Sequence, residues 1–206
     1  MDVQVGLLQA GAAPVWRQTR QEAGTTIFAA TDAVLQEAGA GFDRIGAFIF
    51  CAGPGSMLGI RTVAMALRTW TVLTPRPIYS YQSLALAAHF AAGQNPGRVF
   101  AVIADARRAT WHCQAIGADG EMSPLQRLPS AELPAGELLT PDNFRAWASP
   151  PRPAQPCAYD LARIFPALVE RDLFSPVSEP DAFQYGGPDY KKWSAQVHSA
   201  ATADRK

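Results

Sequence analysis

The residues from Ile45 to Leu73 constrain this chain more than any others. Ile45 to Phe50 is a continuous apolar run, which suits a β-strand buried on both faces. Gly53-Pro54-Gly55-Ser56 breaks that run, and a helical pattern then holds from Ser56 to Leu73, where Pro75 and Pro77 end it. A strand that passes through a glycine turn into a helix points to an α/β arrangement. On the helix, Ile60, Val63, Ala64, Ala66, Leu67, Trp70 and Leu73 share a core face. Leu58, Met65 and Val72 recur on the other side, flanked by Arg61, Thr62, Arg68 and Thr69. An apolar stripe with that spacing suits pairing with another helix, or burial on a second side within the same domain.

The flanking segments fit the same architecture. Val3 to Leu8 and Val15 to Gln21 read as a hairpin across the Gly11–Pro14 turn. Thr25 to Ala38 has helical period, with Ile27, Phe28, Thr31, Val34, Leu35 and Ala38 on its core face. Thr26, Ala29, Ala30 and Ala33 lie opposite, small enough to let another helix approach. Ile78 to Tyr81 reads as a strand and Ser80 to Ala92 as a helix. Val99 to Ala104 and Thr110 to Ile116 read as strands flanking Asp105-Ala106-Arg107-Arg108. Residues 124–156 are proline-rich. A helix is expected to start there at Thr140-Pro141, with threonine as cap and proline at the first helical position. Another is expected over Tyr159 to Glu170, interrupted at Pro166. These elements predict an N-terminal lobe over 1–97, a smaller α/β lobe over 98–197, and a disordered tail over 198–206.

Composition and residue types narrow the chemistry. Eighteen basic residues balance eighteen acidic ones, and no Lys/Arg run is present, so any nucleic acid is expected to be held by a partner. Cys51, Cys113 and Cys157 are widely spaced, with no CxxC, which fits small core residues in a reducing compartment. No apolar stretch reaches the length of a membrane span. A cytoplasmic protein is expected. His89, His112 and His198 are too far apart to pair as ligands on one helical face, so no metal site is expected. Ser56 reads as a helix N-cap; it lacks the G-x-S-x-G elbow of a nucleophile. The Gly53–Ser56 turn reads as a tight structural turn, with an anion site at the helix start as the alternative. Asp105 reads as a carboxylate bonding the turn before Arg107 and Arg108, with a catalytic acid as the alternative. No catalytic or cofactor-binding residue is assigned.

Gly53, Pro54, Gly55, Ser56, Gly59, Ile60 and Arg61 follow a GPGS-x-x-G-[ILV]-R pattern that resembles the TsaB (YeaZ) family. That family usually has Phe-Thr at Met57-Leu58. Ser80 to Ala85 resembles its V-S-S-L-E-A-L segment, and Asp105-Ala106-Arg107-Arg108 its D-A-R-R-G-E-V segment between two strands. Glu179-Pro180 to Trp193 loosely resembles its terminal P-x-Y-[LR]-[RK] segment. The resemblance implies an actin/Hsp70-like (ASKHA, ribonuclease H-like) two-lobed α/β fold. The family's first strand, I-L-A-I-D-T-S, lies between its second and fourth. Met1 to Val5 aligns with the second, so the first is expected to be missing from the N-terminal lobe, through a truncated or misassigned start. The resemblance also implies a non-catalytic scaffold for the threonylcarbamoyladenosine modification of tRNA. It would pair with a catalytic paralogue, TsaD, and act with a TsaE-like ATPase, touching tRNA only through that complex and no membrane. Pairing would use the two helices through Ala29, Ala30, Ala33, Leu58, Met65, Arg68 and Val72, with a homodimer through the same helices as a further expectation. No cofactor is expected in the isolated chain. The alternative is a glycoprotease-like or kinase-like enzyme on the same fold.

Overall fold

A computed structural model describes residues 2–168 and 172–184. The chain begins with a hairpin, β1 (Val3–Leu7) and β2 (Val15–Thr19), antiparallel with Val3 opposite Thr19. Helix α1 (Ala23–Glu37) follows, then strand β3 (Phe48–Gly53), helix α2 (Met57–Thr71), strand β4 (Ile78–Gln82) and helix α3 (Ser83–Gln94). β3 and β4 are parallel neighbours. The second half supplies β5 (Phe100–Asp105), β6 (Thr110–Ile116), β7 (Gln126–Pro129), β8 (Glu137–Pro141), β9 (Ala154–Cys157), helix α4 (Leu161–Leu168) and a two-residue strand, β10 (Ser175–Pro176). β7-β6-β5-β8-β9 form one five-stranded sheet. β10 returns to the first half and pairs with β4, so the first lobe's sheet also draws on chain beyond residue 97.

The sheet of the first half is interrupted. β1 pairs only with β2, and β3 only with β4, among the described residues. The helical layer above is not interrupted: α1 packs on the hairpin, α2 on β3, and α1 on α2. The gap lies between β1 and β3, where the resemblance puts the strand expected to be missing. Gln4 ties the hairpin to the second half. Its side-chain amide donates to the Tyr159 carbonyl at 3.0 Å, and its side-chain oxygen accepts from the Leu161 N–H at 2.8 Å.

Several elements differ from expectation. β3 begins at Phe48, since Phe42–Arg44 form a 3₁₀ turn and 45–47 are irregular. It is not buried on both faces: Phe50 is, but Ile49 is 37% exposed beside the gap. On α1, Thr26 is buried and its hydroxyl donates to the Glu22 carbonyl, so it needs no water. Phe28, expected in the core, is 48% exposed and packs edge-on against Trp70. Leu73, also expected in the core, lies past the end of α2 and is exposed. α3 begins at Ser83, because Ser80 to Gln82 stay in the β4 ladder. No helix starts at Thr140-Pro141. Those residues end β8, whose Leu138 and Leu139 are buried and pair with Ala101 and Val102, and strand pairing with burial outweighs the capping signal. α4 starts at Leu161 rather than Tyr159 and keeps Pro166 inside it, and the expected continuation to Glu170 lies outside the described residues. The expected tail and the Tyr190–Trp193 segment lie outside the described residues.

Candidate functional site

Two features stand out: the turns where strands end, and the outer face of the α1–α2 pair. At the first, Gly53 takes φ 132°, a conformation open to glycine and strained for other residues. The Gly53–Pro54 peptide is cis. Ser83, fully buried at the start of α3, donates its hydroxyl to the Pro54 carbonyl at 2.6 Å and pins the turn from below. Ser56 caps α2: its side-chain oxygen accepts from the Gly59 N–H at 3.3 Å. Gly59 is a close-approach position. A Cβ there would lie 3.4 Å from the Ser56 Cβ and 3.5 Å from that of Ala23, at the start of α1.

The Asp105 loop is the most strained stretch of the described backbone. Arg107, Arg108 and Ala109 all have positive φ, at 66°, 52° and 55°. Each such residue costs about 1 kcal/mol or more, so the surroundings must impose the conformation. Asp105 does this with both carboxylate oxygens. One accepts from the Arg107 N–H at 2.6 Å, the other from the N–H groups of Trp147 and Ala148 at 2.6 and 2.9 Å. Partial burial pushes the Asp105 carboxyl up. Those three donors and the Arg107 charge outweigh it and hold the group below the usual carboxylate value. Arg107 stacks over the Trp147 ring at 4.2 Å, with Arg145 at 5.1 Å. Trp147 and Arg145 were not singled out in the sequence. They lie in the proline-rich stretch, some forty residues from Asp105, and no local signal links them.

Titratable groups inside the molecule are held neutral. Burial raises Cys51 and pushes Tyr81 and Tyr159 well above their ordinary values, so at neutral pH this cluster carries no thiolate or phenolate. Burial and the Arg127 charge push His112 down to about 4. Among the described residues, no three His, Cys, Asp or Glu side chains gather as metal ligands. No described helix is long and apolar enough to cross a membrane.

The second feature is apolar and exposed. Leu58, Met65 and Val72 are 74%, 58% and 72% exposed on the outer side of α2. Phe28 of α1 joins Leu58 and Met65 around a shallow groove of about 370 Å³, with Arg61, Thr62 and Ala66 between them. The hydroxyls of Thr62 and Thr69 donate back to the Leu58 and Met65 carbonyls, both at 2.9 Å. These threonines therefore need no outside hydrogen-bond acceptor. Ala29 is exposed beside Phe28, while Ala30 and Ala33 are half-buried. Arg61 lies 4.0 Å from Asp181, and Arg68 donates to the Pro180 carbonyl at 2.9 Å, so both arginines also anchor the chain after β10. Arg108 is exposed in the strained loop, away from this face.

No family model matches this chain, and no curated protein does. Solved structures do resemble it. A Pseudomonas aeruginosa protein described as uncharacterized, with similarity to peptidase YeaZ, superposes with a TM-score of 0.64 at 19% identity, over 90% of this chain and 94% of that one. YeaZ from Pseudomonas aeruginosa superposes at 0.60 with 20% identity, over 81% of this chain and 87% of that one. At this identity the likeness establishes the fold, an actin/Hsp70-like α/β arrangement.

Proposed function

We propose that this chain is a TsaB (YeaZ) family protein and acts as a non-catalytic partner subunit in the threonylcarbamoyladenosine modification of tRNA. It pairs with a TsaD-like catalytic paralogue, works with a TsaE-like ATPase, and meets tRNA only within that assembly, in the cytoplasm. The two lobes divide near residue 97. The observation that carries the reading is the outer face of α1 and α2, where Leu58, Met65, Val72 and Phe28 stand out of the molecule together. Burying a large apolar side chain is worth about 1.5–3 kcal/mol, and an isolated chain forgoes that at each of these positions. The shared fold and the Gly53–Arg61 and Asp105–Arg108 motifs support the family, and the balanced charge supports indirect contact with tRNA. A second copy of the chain could use the same face.

The non-catalytic reading rests on the side chains themselves. Ser56 spends its oxygen on a helix cap, Asp105 spends both of its own on backbone N–H groups, and Cys51 is buried as a thiol. Catalysis by a side chain needs a nucleophile or base with free reach to substrate.

Met65→Glu tests the interface. On an exposed helix the change should alter stability by less than about 0.5 kcal/mol. Inside an interface it would strand a charge at a cost of several kcal/mol. The variant should melt like the parent yet lose binding to the TsaD-like paralogue in calorimetry. Unchanged binding would place the interface elsewhere. An unfolded variant would mean the stripe is part of the chain's own core.

A further inference from the structure

The turn between β5 and β6 gathers arginines that no run of sequence brings together. Arg107 and Arg108 lie in the turn itself, Arg127 comes from β7, and Arg145 from the loop after β8. All four are exposed. Among the described residues, no carboxylate lies within 4.0 Å of any of them. Asp105 has both oxygens occupied by backbone N–H groups. Asp142 and Glu132, on the neighbouring segments, pair with none of the four. Arg127 fastens the turn: its guanidinium donates to the Thr110 hydroxyl at 2.9 Å and to the Ala106 carbonyl at 3.1 Å. Arg107 and Arg145 both lie over Trp147, which is 54% exposed. Two like charges held over one ring without a paired carboxylate repel each other, and the left-handed backbone of Arg107, Arg108 and Ala109 adds strain. Strain of this kind persists where a binding surface needs the shape.

We propose that this turn binds single-stranded nucleic acid, with strand phosphates on Arg107, Arg108 and Arg145 and a base against Trp147. Guanidinium groups match phosphate oxygens with paired donors and keep their charge at any physiological pH. The exposed indole beside them is a flat, uncharged surface, and a guanidinium plane is a second one; unpaired bases stack on both. A duplex buries the faces of its bases in its own stack, so it gains only the phosphate contacts. An acidic peptide gains the charge contacts and brings no flat group to the ring. Trp147, left open beside the arginines, therefore favours the single strand.

The site is built from residues of the second half alone and does not rest on the proposed pairing through α1 and α2. Asp105 is a positioning residue in it, since its carboxylate ties the turn to the backbone of Trp147 and Ala148. Binding by the isolated chain is weak, with a dissociation constant on the order of 10⁻⁴ M at physiological salt. That strength fits the balanced overall charge and leaves an assembly to supply the rest of the hold on RNA. Each phosphate contact on a single strand releases counterions, and the logarithm of the binding constant then falls with the logarithm of salt concentration by about 0.7 per contact. Contacts to Arg107, Arg108 and Arg145 set an expected slope of about −2.

The test is fluorescence anisotropy of a labelled single-stranded oligouridylate of about twelve nucleotides, titrated with the chain from low to physiological salt. The parent should bind with that slope. Arg108→Gln should reduce the slope by about 0.7 and weaken binding about fivefold at about 0.1 M salt, and Arg145→Gln should do the same. Trp147→Ala should weaken binding by about fivefold or more and leave the slope unchanged, because stacking carries no charge. Arg163→Gln, which removes an exposed charge on α4, should change neither quantity. All of these side chains are exposed, so the variants should melt like the parent. Five outcomes overturn the proposal. The first is no saturable binding at low salt. The second is an equal loss for Arg108→Gln and Arg163→Gln, which places binding elsewhere. The third is a Trp147→Ala variant that binds like the parent, or a duplex of the same length bound as tightly, since either removes the base contact. The fourth is equal affinity for an oligoglutamate of the same length, which makes the partner an acidic peptide. The fifth is displacement of the strand by inorganic phosphate at fixed ionic strength, which leaves an adventitious ion only.

Discussion

β5 and β3 are both six-residue strands made largely of apolar residues. β5 lies between β6 and β8, and every residue from Phe100 to Ala104 is buried. β3 has β4 on one side and the gap on the other, and Ile49 is left partly exposed. Apolar composition therefore gives a strand the capacity to be buried, and the number of flanking strands determines whether that capacity is used. The closed sheet carries the larger core, packed with α3 and α4. The interrupted sheet depends on its helices to hold the hairpin in place.

The sharpest way to break this contrast is to place one charge in each sheet. Val102→Asp puts an unpaired carboxylate in a position with no exposure. It should cost about 4 kcal/mol or more and lower the melting temperature by roughly 10 °C, or leave no folded chain to recover. Ile49→Asp, beside the gap, should cost less than about 1 kcal/mol by the same melt. Equal losses would mean that β3 is as enclosed as β5.

Gly59 probes how the helices hold the interrupted half together. A leucine side chain there has to grow out of a position already in contact with Ser56 and Ala23, and should force α1 and α2 apart at a cost of about 1–3 kcal/mol. Ser56→Ala removes one cap and should cost about 1 kcal/mol. Urea unfolding of the two variants ranks them, and a Ser56→Ala loss that equals or exceeds the Gly59→Leu loss would mean the helix contact has slack.

The mildest test belongs to the closed sheet and has no effect at neutral pH. His112 sits in β6 with its pKa pushed down to about 4, against an ordinary value of 6.5. Between those values the folded imidazole is neutral while the unfolded one is charged, so unfolding takes up a proton. Stability is therefore full above pH 6.5 and falls as pH drops towards 4, by up to one proton's worth of slope. His112→Gln should flatten that part of a stability–pH curve. An unchanged curve would place the acid sensitivity in other groups.

How much was legible varied with the range of the forces involved. The hairpin, α2, β4, β5 and β6 were readable within a few residues, because periodicity and glycine or proline stops are local. The Leu58–Met65–Val72 stripe was readable for the same reason, and the structure leaves all three exposed. Phe28 was misread, since one position around a helix separates core from surface and Trp70 supplied a contact that period alone does not show. The strand at Thr140-Pro141 was read as a helix start, because a threonine-proline pair serves equally well at the end of a strand whose partners are elsewhere in the chain.

The amino-acid sequence by itself determined the α/β class, the strand–turn–helix unit around Gly53 and the amphipathic outer face of α2, because these follow from residues within a few positions of one another. Tertiary structure alone decided which edges were left unpaired, that Gly53 takes the positive-φ position of its turn, that Ser83 holds the Pro54 carbonyl, and that Asp105 collects N–H groups from Trp147 and Ala148. Each of these joins groups far apart in the chain, or depends on the geometry such contacts impose. Hydrogen bonding and burial act over ångströms in space, and distance along the sequence carries no trace of them.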